Sequence, residues 1–181
     1  AADGAALIRG RLVHRLLDAL PRVPPELRDV AAERLLGGEL GTGPELVREI
    51  RAEAEAVLAH AELHTAFAGE ARAEVAIVGN VPTERGVFSV SGRIDRLIRD
   101  GAGWRLVDFK TDRSVPASAA DADPDYILQL ALYRKLMMDM EPGIPVAAAL
   151  VYTAGPNVMP IPTEMMEQAL ARIGVRANAF P

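Results

Sequence analysis

Cysteine is absent from all 181 residues, which excludes a disulfide framework and any thiolate zinc or iron–sulfur site. Nothing therefore argues for an oxidising compartment, and a cytoplasmic protein is the expectation. No apolar run approaches the roughly 18 to 20 residues a membrane span needs, and the amino end lacks a charged-then-apolar signal pattern. A soluble protein without a membrane partner is expected. A basic excess is missing too, since 20 Lys and Arg stand against 25 Asp and Glu for a net charge of -5. Proteins that hold nucleic acid by bulk electrostatics are usually strongly basic, so tight autonomous DNA binding is not expected. Metal-assisted chemistry on a phosphate stays compatible, because carboxylates that gather divalent cations create positive charge locally. Lysine is nearly absent, with only Lys110 and Lys135. No Gly-x-x-x-x-Gly-Lys-Ser/Thr loop and no Gly-x-Ser-x-Gly elbow occur, which removes ATP hydrolysis and serine-hydrolase chemistry from this piece.

What is present is half apolar by residue, enough for one sizeable core, and the length favours a single unit over residues 1–181. The chain starts at Ala1 and runs almost directly into an amphipathic pattern, so a piece of a longer protein is expected. Leu7, Ile8, Leu12, Leu16, Leu17 and Leu20 recur at helical spacing until Pro21. Pro24-Pro25-Glu26 opens a second helix through Leu27, Val30, Ala31 and Leu35 to Gly37-Gly38. After Gly41-Thr42-Gly43-Pro44, Leu46 to His60 reads as a third, alanine-rich helix with charges on its outer face. Residues 1–68 are thus helical, and residues 69–181 carry an α/β core.

Beyond Gly69 the period changes to short β runs over Glu74–Val78 and Val87–Ile98, separated by Pro82 and Gly86. Asp100-Gly101-Ala102-Gly103 is a turn and Trp104–Thr111 a strand, so a hairpin places Asp95 and Asp108 on adjacent strands. Asp112–Pro124 reads as a loop. Pro124 opens a helix that runs to Met140 and ends at Pro142-Gly143, Val146–Thr153 is a further strand, and Val158–Pro162 a short one. Thr163, as N-cap, starts a last helix with Met166 and Leu170 inward.

The central chemical signal is Gly92-Arg93-Ile94-Asp95-Arg96 followed by Val107-Asp108-Phe109-Lys110-Thr111. Alternation along a strand sends Asp108 and Lys110 to one face and Phe109 to the other. Two converging carboxylates suit magnesium or manganese, hard cations that keep several waters and share a substrate phosphate. A neighbouring lysine steadies charge growing on phosphorus, or holds or deprotonates the attacking water. The plainer alternative is a surface ion pair between Asp108 and Lys110. Against it, a chain with 18 arginines puts one of its two lysines here, and arginine scarcely releases a proton.

His14, on a helix otherwise apolar along one face, is a metal ligand, a water holder or a packed side chain. Glu74 either approaches the metal through water or faces solvent. Gln129 and Tyr133, four apart on one helix, either point at a DNA backbone or, for Tyr133, pack in the core; Tyr126 is assigned to the core. His60 and His64 are four apart, but no base or third ligand completes a zinc site.

Together, Gly10–Leu17, Glu74 with its strand, Gly-Arg-Ile-Asp-Arg-Leu, Val-Asp-Phe-Lys-Thr-Asp-Arg and Gln-Leu-Ala-Leu-Tyr-Arg resemble the RecB family of PD-(D/E)XK nuclease domains, most narrowly the carboxy-terminal module of AddA-type helicase-nucleases. Lack of cysteine favours that branch over the AddB-like and Cas4-like ones, which carry iron–sulfur clusters. The resemblance implies a restriction-endonuclease-like fold, a central mixed β-sheet flanked by helices. It implies a magnesium-dependent exodeoxyribonuclease, with manganese as substitute, acting in bacterial double-strand break repair and recombination. By it, His14, Asp95, Asp108 and the Phe109 carbonyl ligate the metal, Lys110 is catalytic, Glu74 supports the site, and Gln129 and Tyr133 complete the last motif. Its implied partners are single-stranded DNA, an ATP-dependent helicase portion of the same chain and an AddB-like subunit. Two other readings stay open: a nuclease-like module kept for structure or DNA guidance, and a stand-alone RecB-like exonuclease.

Overall fold

The computed structural model describes residues 2–37, 43–69 and 71–175. Its α-helices are α1 (Ala2–Ala19), α2 (Arg28–Leu36), α3 (Pro44–Ala59), α4 (Pro124–Met140) and α5 (Thr163–Arg172). The strands are β1 (Arg72–Thr83), β2 (Gly86–Asp100), β3 (Gly103–Lys110), β4 (Val146–Tyr152) and β5 (Asn157–Pro160), in one sheet of order β1-β2-β3-β4-β5. Strands β1, β2 and β3 pair antiparallel. The bonds Trp104 N–H to Pro145 O at 2.8 Å and Thr153 N–H to Lys110 O at 2.9 Å advance together along β3 and β4. These two strands are therefore parallel, joined by α4 as a crossover, and the sheet is mixed. Among the described residues no helix is long and apolar enough to cross a membrane.

Contacts group the chain into two compact units: Ala1–Gly69 with Phe109–Val115 and Val151–Val158, and Glu70–Asp108 with Pro116–Leu150 and Met159–Pro181. In the first, α1 and α2 pack on α3. The buried stripe of α1 is Leu12, Val13, Leu16 and Leu17, continued by Leu20 in the turn that follows, each at most 1% exposed, and each leucine there contributes about 1.5–3 kcal/mol by leaving water. Leu7 and Ile8, expected inside, are exposed, and Arg9 takes the inner position at helical spacing from Val13. On α2 the buried residues are Ala32 and Leu36, while Leu27 and Val30 face out. The inner face of α2 is thus turned by one residue, about 100°, from the expected one. The expectation that α3 keeps its charges outside is also corrected, because Glu53 is buried beside Ile50, Ala54 and Val57.

Helix ends differ as well. Helix α1 stops at Ala19 and continues as a 3-10 turn through Pro21, and Pro25–Leu27 is a 3-10 turn before α2. Proline at the first or second position of a tight turn has no amide hydrogen to lose, so the turn can precede or follow the helix proper. The second helix ends at Leu36 with Gly37 as its cap; Gly38, Gly41 and Thr42 lie outside the described residues. The N-cap of α5 is Pro162 and makes no side-chain cap bond, so Thr163 is the first helical residue rather than the cap.

In the second unit β1 and β2 form one long hairpin rather than several short strands. Pro82 does not interrupt β1, because β1 is an edge strand and has no ladder bond to lose on its outer side. Helix α4 is capped by Asp123, whose Oδ1 accepts the Asp125 N–H at 2.9 Å, with Pro124 at the first position. Helix α4 packs on β1 and on α5, with Met166 and Leu170 of α5 buried as expected and Tyr126 only half-buried. The hairpin admits α4 closely at Gly92, where a Cβ would stand 1.9 Å from Tyr133 Oη and 2.6 Å from its Cζ. Gly92→Ala is therefore expected to destabilise the protein by about 1–3 kcal/mol through overpacking, read as a fall in the denaturant midpoint without a change in m. At the turn, Gly103 has φ +141 and a Cβ there would lie 2.2 Å from Pro145 O, so glycine is required on both counts.

Candidate active site

Asp95 lies near the middle of β2, held in place by ladders on both sides. On one side Val75 pairs with Ile94 and Ala73 with Arg96, so Glu74 falls opposite Asp95. On the other the β2–β3 ladder ends at Arg96 with Val107, and Asp95 and Asp108 are the residues that follow this last pair on the two strands. Three neighbouring strands thus bring three acidic residues into one row. Carboxylate oxygens of Glu74 and Asp95 lie within 4.8 Å of each other. Like charges set opposite one another on adjacent strands repel, so this row is costly unless a cation is shared. Its donors are all oxygen, which is the donor set of a magnesium- or manganese-type ion, and the residues fit such an ion.

Glu74 carries a second cost. It is the one non-glycine residue with positive φ among those described, at +53°, near the start of a ladder whose register is otherwise regular. A β-carbon in the left-handed region costs about 1–2 kcal/mol. Arg93 Nη1 donates to Glu74 Oε2 at 3.0 Å and fixes the carboxylate. Arg93 is largely exposed, so this ion pair offsets the strain only modestly.

Asp108 is buried, at 4% exposure, and Gln129 Nε2 donates to its Oδ1 at 3.4 Å. The same amide nitrogen donates to Tyr133 Oη at 3.2 Å. An amide NH2 has two hydrogens, so both bonds can form at once. Gln129 and Tyr133 are one helical turn apart on α4; Gln129 bonds Asp108, and Tyr133 bonds Gln129. Tyr133 is itself buried, and its hydroxyl accepts from the Gln129 amide. The exposed turn carboxylate Asp100 is different: the Arg105 hydrogen bond first, then the Ala102 N–H, hold it below the usual carboxylate range.

The remaining expected residues belong to the first unit. Phe109 is buried, stacked on Phe67 at 6.1 Å between centroids and 2° between planes. His14, on α1, meets the same ring edge-on at 6.2 Å. Lys110 closes β3, half-buried, two residues after Asp108. Sequence reading missed Arg93 beside Glu74, and it missed Arg9, Glu53 and Thr153 behind Lys110. For the buried pair a signal did exist, since Arg9 and Glu53 each fall on the apolar stripe of their own helix.

The model of the PD-(D/E)XK nuclease superfamily matches residues 2–173, and the chain belongs to that superfamily. Its fold is the α/β, restriction-endonuclease-like one, a mixed five-stranded sheet flanked by helices. No curated protein matches the chain. Among solved structures, one described as the crystal structure of SSO0001 is 16% identical with a TM-score of 0.40, and the match covers 93% of this chain and 76% of that one.

Proposed function

We propose that this chain is a divalent-cation-dependent deoxyribonuclease that hydrolyses phosphodiester bonds of single-stranded DNA, with magnesium as its ion and manganese as a substitute. The observation that carries the reading is the acidic row across β1, β2 and β3, in which Glu74 and Asp95 stand within 4.8 Å and Asp108 follows the last β2–β3 pair, with Lys110 two residues further on. Asp95 and Asp108 would hold the ion, His14 and the Phe109 carbonyl would add donors, and Glu74 would act on the ion or its waters. When bound, the ion supplies neutralisation of the phosphate and a more acidic water.

The chain's own part is positional. Gln129, itself bonded to Tyr133, keeps Asp108 in a single orientation, and Arg93 does the same for Glu74. Lys110 either steadies the charge that grows on the phosphoryl oxygens or takes the proton of the attacking water, at its ε-nitrogen. The resemblance to AddA-type modules supports a place in a break-repair helicase-nuclease, where a motor portion and an AddB-like subunit deliver the strand. An acidic domain with net charge -5 fits delivery better than independent capture of DNA.

The test is digestion of end-labelled single-stranded DNA by the full chain with magnesium or manganese, with Asp108→Ala and a chelator as controls. Wild-type cleavage at least about 10²-fold faster than the variant is expected, since charge stabilisation of this kind contributes that much. Equal rates for the two would overturn the reading.

A further inference from the structure

Three buried polar side chains of the first unit have no part in the chemistry above. The side chains of Arg9 and Glu53 are 9% and 6% exposed, and Thr153 is 1% exposed. Arg9 lies on the α1 stripe with Val13 and Leu16, and Glu53 on the α3 stripe with Ile50 and Val57. Arg9 ion-pairs with Glu53 through Nη2, and its Nη1 donates to the Thr111 carbonyl at 3.0 Å. Glu53 Oε1 accepts from the Thr153 hydroxyl, while the Thr153 N–H donates to the Lys110 carbonyl at 2.9 Å. A hydroxyl has one proton, so with the carboxylate engaged the main-chain N–H is what holds Lys110. Of two consecutive carbonyls, that of Thr111 is therefore held by Arg9 itself, and that of Lys110 by the main chain of Thr153, whose side chain Glu53 holds.

Further contacts tie the same stretch. A Cβ on Gly10 would stand 2.8 Å from Thr111 Oγ1, so α1 comes against Thr111 more closely than any side chain permits. Glu49, one turn before Glu53, binds Arg113 Nη2 at 2.7 Å and lies 3.7 Å from Arg9 Nε. A buried ion pair is a poor fastener for two helices, because desolvation consumes its attraction and apolar residues of similar volume serve as well or better. Apolar residues cannot, however, hold a carbonyl oxygen in a fixed place.

We propose that the Arg9–Glu53 ion pair is a positioning device for Lys110, fixing the peptide groups that follow its α-carbon and so aiming the ε-amine. The proposal rests on the role given to Lys110 above. Arg9→Met combined with Glu53→Leu, in the full chain, tests it, because removing both charges spares the fold the burden of one unpaired ion. The double variant is expected to melt at or above the wild-type temperature, yet to cleave single-stranded DNA with kcat lowered about 10–100-fold and KM unchanged within about threefold, as small misplacements of a reacting group do.

Lysine labelled with 13C at Cε supplies a reading independent of activity, since the chain has only Lys110 and Lys135. Relaxation should show Lys110 loosened in the double variant and Lys135 unchanged. Unchanged kcat, or lost activity with Lys110 as ordered as before, overturns the proposal. Should the wild type cleave no DNA, the nuclease reading fails and the lysine measurement decides alone: a loosened Lys110 sustains the positioning role and an unaltered one ends it. If the double variant does not fold, Arg9→Lys keeps the charge opposite Glu53 but loses the planar fork. The same fall in kcat at constant KM and the same loosening are then expected, and their absence overturns the proposal equally.

Discussion

Asparagine in place of Asp95 is expected to leave the metal-free protein more stable and the enzyme inactive. Glu74 and Asp95 hold carboxylate oxygens within 4.8 Å across paired strands, and a directly opposed like-charge pair costs about 0.2–1 kcal/mol. Arg93 offsets part of this from Glu74's other side, so the gain on removing one charge falls toward the lower end of that range. For a chain of this length 1 kcal/mol moves the melting temperature by about 2–4 °C, and a rise of about 0.5–2 °C is expected for the variant in chelator. Manganese should reverse the ranking. An ion present at about 100 times its dissociation constant stabilises the wild type by about 2.7 kcal/mol, whereas the variant, short of one anionic donor, should respond little. Cleavage should fall by about 10³-fold, the upper end for loss of a main electrostatic group. Thermal melts with chelator and with manganese read both effects; a wild type whose melting ignores manganese would remove the row of acids from metal binding altogether.

Alanine in place of Lys110 should separate the same two properties in the opposite way. An ammonium group does not ligate a cation, so the manganese-induced rise in melting temperature should match that of the wild type. The rate should drop by about 10²–10⁴-fold, the range for loss of a positioned proton-transfer group. Lys110→Arg divides the two roles left open for the amine. Guanidinium keeps the charge but scarcely releases its proton, so restored cleavage would assign Lys110 to charge stabilisation, and continued inactivity to proton transfer. A fall in metal affinity with Lys110→Ala, measured by calorimetry, would contradict the division of labour between amine and carboxylates.

How much of this could be read from residues alone follows from the range of the interactions involved. The helix-rich first third, the Asp100–Gly103 turn and the pairing of β2 with β3 are set by local periodicity and turn chemistry, and they stand where the sequence put them. The adjacency of Asp95 and Asp108 follows from counting outward from that turn. By contrast, the inner faces of α1 and α2 depend on which neighbour each helix meets, and an apolar residue such as Leu7 gives no sign that it will be 75% exposed. Glu53 reads as one of the outward charges of its helix, and its pairing with Arg9 is not legible locally because the two lie 44 residues apart. Glu74 was legible as an acid near a strand start, but its left-handed backbone was not, since nothing short-range demands φ of +53° from a glutamate. Gln129 offered the better clue, because an amide on the buried side of a helix needs partners, and it has them in Asp108 and Tyr133.

The conformation at Glu74 bears on how such a protein would respond to engineering. Glycine fits a left-handed backbone without steric penalty, so screening libraries for heat resistance alone would enrich glycine there, and asparagine to a lesser degree. Each round would yield a hardier protein that had surrendered one arm of its acid cluster. Thermostability campaigns on this chain therefore need an activity counter-screen from the outset, because the strained position is one to which the proposed mechanism gives a part.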